Sequence, residues 1–70
     1  MERLRRYLID EAISQSELAR RVGVSQPTVW GWLNDDSLPS AEMLKTLSNE
    51  TGLSIDALLD HLPVLSEQRV

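Results

Sequence analysis

The ten residues Ser25 to Asn34, SQPTVWGWLN, gather the side chains best suited to making contacts. They include both tryptophans of a chain without phenylalanine, two positions apart. On a strand the two indoles would share a face. On a helix, at about 100° per residue, Val29, Trp32 and Leu33 cluster on one side, and Pro27, Trp30, Gly31 and Asn34 gather on the other. The helical reading makes Trp32 core and leaves Trp30 outside it. An indole facing outward beside glutamine, threonine and asparagine is a contact surface, combining an apolar ring with groups that donate and accept hydrogen bonds.

Catalytic chemistry has no comparable constellation. His61 is the one histidine and there is no cysteine, so the inventory of nucleophile, base and orienting group is poor. Asp35 and Asp36 are adjacent on a loop, without the separation an acid–base pair needs. No glycine-rich phosphate loop is present. A zinc site would need carboxylates around His61, with no sign of ligand spacing. The expectation is a protein that is not an enzyme and carries no metal or cofactor.

The elements that must hold this surface read as five short helices in an all-α bundle, with no convincing strand. Residues 2–12, ERLRRYLIDEA, place Leu4, Leu8 and Ala12 in one stripe with Tyr7 beside it. Ser14 and Glu17 form a capping box, each side chain satisfying a backbone donor of the other, and a second helix follows through Leu18, Ala19 and Val22 to Gly23. Ser25 caps a third helix with Pro27 in its first turn, where a missing N–H costs nothing. Ser40 caps a fourth helix through Met43, Leu44 and Leu47, ending at Gly52. Ser54 caps a fifth through Ile55, Leu58 and Leu59, and Pro63 stops continuation beyond Leu62. The domain is expected to span 1–62, with 63–70 as a tail.

Seventy residues make one small domain. The absence of cysteine fits a reducing cytosol. No apolar run approaches the roughly 20 residues that span a bilayer, and the N-terminus lacks the uncharged core of a secretory signal, so a soluble, cytoplasmic chain is expected. Net charge is −4 but segregated. Residues 1–34 carry Arg3, Arg5, Arg6, Arg20 and Arg21 against Glu2, Asp10, Glu11 and Glu17, a net of +1. Residues 35–70 carry Lys45 and Arg69 against seven acids, a net of −5.

Two capped helices joined by VGVS are the physical form of a helix-turn-helix. The stretch SQSELARRVGVSQPTVWGWLN resembles that of the phage Cro and lambda-type repressor family: Gln15 opens helix two, then come Leu18-Ala19, Val22-Gly23-Val24, the Ser25-Gln26 opening of helix three, Val29 and Asn34. Ser40 to Leu59 is similar to the family's fourth and fifth helices, so the resemblance covers about residues 2–60.

That resemblance implies a sequence-specific transcriptional regulator, of Cro-like or repressor-like type, that binds double-stranded DNA with helix three in the major groove. Gln26 is then the first choice for a base contact, its carboxamide matching N6 and N7 of adenine. Gln15 would hold a phosphate at the start of helix two. Ser25 and Pro27 open the reading helix, and Thr28 would reach phosphate or base. Trp30 would pack on a thymine methyl or sugar, or donate its N–H to phosphate. Gly31 stands where relatives often carry a base-reading side chain, and its glycine either brings the backbone close or removes a reader. Asn34 would position the backbone. Arg20 and Arg21 are the arginines placed at phosphates, each neutralised phosphate adding roughly 0.9 to the salt slope. Asp35-Asp36 replaces the glycine or basic residue of many relatives, which predicts modest affinity.

A domain this small gains reach as a homodimer on a pseudo-palindromic operator, with half-sites roughly 34 Å apart. The late apolar residues exceed what a short fifth helix needs, and Leu58, Leu62, Val64 and Leu65 are the expected dimer contact. The rival reading is a protein-interaction module on the same fold, an antitoxin or antirepressor partner with weak DNA binding, supported by the acidic second half.

Overall fold

A computed structural model of the chain describes residues 1–59. Within them the structure is all-α: α1 (Glu2–Glu11), α2 (Gln15–Val22), α3 (Gln26–Leu33), α4 (Ala41–Thr51) and α5 (Ile55–Leu58). Serine decides where four of these begin. The hydroxyls of Ser14, Ser25, Ser40 and Ser54 accept from the backbone N–H three residues on, at Glu17, Thr28, Met43 and Ala57. Gly23 and Gly52 end α2 and α4 in the left-handed conformation, at φ of 82° and 81°. There they let the cap N–H close onto Ala19 and Ser48.

α1 ends one residue earlier than its apolar pattern suggests. Ala12 turns left-handed, with φ 56°, and Ile13 N–H reaches back to the Leu8 carbonyl at 2.9 Å. This closing turn brings Ile13 against the core, while Ala12 leaves the stripe and becomes exposed. No glycine marks the position, so local sequence gives no warning of it.

The core is built from Leu4 and Leu8 of α1, Leu18, Ala19 and Val22 of α2, Val29, Trp32 and Leu33 of α3, Leu47 of α4 and Leu58 of α5. Ala19, 3% exposed, is the smallest of these side chains, and α2 and α3 pack directly on each other. α4 and α5 complete the bundle, α4 packing on α2 and α5 on both α1 and α4. Leu58 corrects one expectation. It is 0% exposed, because a helix of four residues must turn its one strongly apolar side inward to hold itself to α1. It is a core residue, not a surface for a second copy. Ile55, at 36% exposure, is the apolar side chain that α5 keeps outside. Leu62, Val64 and Leu65, the 62/63 boundary and His61 lie outside the described residues.

Candidate functional site

Position 26 is reached by two independent helix starts. Ser14 begins α2 at Gln15, Ser25 begins α3 at Gln26, and the packing of α3 across α2 brings these two first residues together. Gln26 Nε2 donates to Gln15 Oε1 at 2.7 Å, both side chains being partly buried. One amide valence of each is spent on the other. Gln26 keeps its second N–H and its carbonyl oxygen, and the held amide has lost much of the rotamer freedom that a lone surface glutamine must give up on binding.

Along α3 the exposed residues are Pro27, Trp30 and Asn34, spaced as one face of a helix. Trp30 is 47% exposed while Trp32 is 3% exposed, which settles which indole belongs to the core. The Thr28 hydroxyl lies 2.9 Å from Ser25 Oγ, so the cap and its neighbour hold each other. Asn34 Nδ2 donates to the Trp30 carbonyl at 2.9 Å, fastening the end of α3.

Gly31 departs from expectation. A helical wheel puts it with Trp30 on the outward side, but it is buried. The loop after α3 folds back on it: Asp36 N–H donates to the Gly31 carbonyl at 2.9 Å, and a Cβ at position 31 would stand 3.1 Å from Ser37 Oγ. Glycine is there for the loop to cross over, not for a ligand to approach. Asp35 makes the turn in the left-handed region, at φ 60°, a conformation aspartate tolerates better than most side chains. Its carboxylate, 60% exposed, receives the Met1 ammonium at 3.3 Å.

The arginines also have internal partners. Arg20 pairs with Glu17 through both its Nε and a terminal nitrogen. Arg21 Nε donates to Glu17 at 2.9 Å, and its Nη1 reaches Glu50 of α4 at 3.5 Å. Hydrogen bonds from Arg20, then Arg21, hold the Glu17 carboxyl below its ordinary range, and the Glu17 bond raises Arg21. Glu17 is thereby drawn away from the reciprocal half of its capping box: it serves two guanidinium groups, whose charge-assisted bonds outweigh one neutral N–H. Ser14 alone does the capping. Arg20 and Arg21 are thus joined with Glu17 in an ion cluster on α2, the Arg20 side chain remaining 73% exposed. Arg5 donates to the Leu33 carbonyl at 2.5 Å and caps the end of α3. Arg6 is exposed on α1.

Beside Gln15 a shallow groove of about 480 Å³ runs between α1 and α3, walled mostly by Leu8, Ile9, Ala12, Ile13 and Leu33. It holds no acid–base pair. Among the described residues no three histidines, cysteines or acids come together as a metal site would require.

A family model described as helix-turn-helix matches residues 4–58, from the first core leucine of α1 to the last of α5. The chain belongs to the Cro-type helix-turn-helix family. It is also 36% identical over 52 residues to an uncharacterized HTH-type transcriptional regulator of Haemophilus influenzae, an alignment covering 74% of this chain and 22% of that protein. The chain thus spans about a fifth of that relative's length. No solved structure matches it. In helix-turn-helix terms α2 and α3 are the paired helices and Gly23 sits in their turn. The Gln15–Gln26 bond joins the two ends that face the same way. No helix among the described residues is long and apolar enough to cross a membrane.

Proposed function

We propose that this domain is the DNA-reading part of a transcriptional regulator, with α3 in the major groove of a double-stranded operator and the start of α2 against the phosphates. The observation that carries this reading is the Gln26–Gln15 hydrogen bond of 2.7 Å. It fixes a carboxamide at the N-terminal end of the reading helix with one donor and one acceptor open. Those are the two groups that adenine N7 and N6–H match in the major groove. Gln15, at the first position of α2, lies where free N–H groups and the helix dipole favour a phosphate. Ser25 and Thr28 stand beside Gln26, and Asn34 secures the far end of the helix. Pro27 and Trp30 lie on the exposed face between them.

A two-fold dimer reading half-sites about one helical turn apart, roughly 34 Å, suits so small a domain. Ile55 and the apolar residues after α5 are the surface we assign to it. Ile55→Asp is expected to make the free protein sediment as a monomer and to weaken binding to paired half-sites; unchanged self-association and affinity would remove that surface.

Selection against a random pool of duplex DNA at moderate salt, with Gln26→Ala in parallel, tests the main reading. Enrichment of a pseudo-palindrome, relaxed at one position by Gln26→Ala, is the expected result. No enrichment with either protein would transfer the weight to a protein-binding module on the same fold.

A further inference from the structure

The hydrogen-bonding groups on the outward side of α3 are few, and most have a partner. Gln26 is tied to Gln15, Thr28 to Ser25, and Asn34 to the Trp30 carbonyl. Position 31 offers no side chain and lies beneath Ser37. What stands exposed between these groups is mostly carbon: the Pro27 ring and the face of the Trp30 indole, whose single N–H is its one polar group, three residues apart and so on one side of the helix. Trp30 is 47% exposed and does not sink under the following loop, whose Leu38 is itself 52% exposed. The core beneath is already filled by Val29 and Trp32, at 0% and 3%.

We infer that Trp30, with Pro27 beside it, reads the C5 methyl group of a thymine next to the base pair contacted by Gln26. The inference rests on the DNA reading above. In the major groove the base edges present donors, acceptors and a single apolar group, the thymine methyl. The ring face of an indole pressed on a guanine or cytosine edge would strip water from polar groups without replacing their hydrogen bonds. Pressed on a thymine methyl it buries carbon on both sides. Combined with an adenine at Gln26, this weights the half-site toward A·T pairs, since neither position 27 nor position 31 carries a hydrogen-bonding side chain.

The test uses the duplex enriched by selection, with its thymines replaced one at a time by deoxyuridine, which removes the methyl and keeps every hydrogen bond. Wild-type affinity is expected to fall about fourfold at one thymine per half-site, the factor for one methyl's worth of burial. Trp30→Ala is expected to bind more weakly and to lose sensitivity at that thymine, while remaining sensitive to 7-deazaadenine at the adenine read by Gln26. If no thymine responds in wild type, or if the response persists in Trp30→Ala, the inference fails while the DNA reading stands. If selection yields no enriched sequence, both fail. The deoxyuridine series on wild type needs no variant, so a folding defect in Trp30→Ala cannot obscure the answer.

Discussion

The outward sides of α2 and α3 are built from opposite kinds of residue and are used in opposite ways. α2 carries Glu17, Arg20 and Arg21, the charges that composition alone would assign to a polyanionic partner. They pair with one another, and Arg21 continues to Glu50, linking α2 to α4. α3 carries no charge at all, yet its Gln26 keeps open valences and its Trp30 keeps half its surface. Charge density and availability are separate properties. A guanidinium within reach of a carboxylate one turn away will pair with it. A carboxamide held by another carboxamide still has a donor and an acceptor to give.

The largest expected effect divides α3 itself. Trp32→Ala should remove about 3–5 kcal/mol of stability, most of what a domain of this size possesses, and abolish the cooperative thermal transition followed by circular dichroism. Trp30→Ala should leave that transition nearly in place. Comparable losses from both would mean that the exposed face of α3 also carries the fold.

Gln26→Ala comes next. Loss of a bidentate base contact should cost about 1–3 kcal/mol in discrimination at one operator position, read as relaxed selection there, with little change in melting. An intermediate effect is expected at the loop crossing: Gly31→Leu should destabilise by about 1–3 kcal/mol through overpacking against Ser37. A Gly31→Leu protein with unchanged melting would put position 31 back on the open face.

The ion cluster should yield the smallest changes. Arg20→Gln is expected to leave the slope of log affinity against log salt as in wild type, because its charge is committed to Glu17. A slope shallower by about 0.9 would instead assign Arg20 a phosphate. Glu17 titrates in a definite direction. Its folded carboxyl is held below the ordinary value of 4.5 by Arg20 and Arg21, so its contribution to stability is complete above that value and is lost as pH falls through the folded one. Melting temperature should therefore drop less steeply on acidification below pH 4.5 in Glu17→Gln than in wild type.

Much of this was legible along the chain because the signals are local. A serine followed by a helix-forming run caps a helix wherever it occurs, and all four serine caps lie where the sequence puts them. The two tryptophans were separable because a 100° rotation per residue leaves only one of them facing the core. The same wheel misplaced Gly31, since a wheel describes a helix by itself and knows nothing of a loop returning over it. Ala12 ends α1 without glycine, and Leu58 had the same apolar look as residues expected to meet a second copy.

The sequence by itself determined the helices, their caps and the family pattern, all set by neighbours within one or two turns. Tertiary structure alone decided that Gln15 and Gln26, eleven positions apart, share a hydrogen bond. It likewise decided that Arg21 reaches Glu50 across 29 positions. The physical reason is range: propensity and capping act over a few residues, whereas the partner of an open amide or guanidinium is fixed only when the core has set the helices against one another.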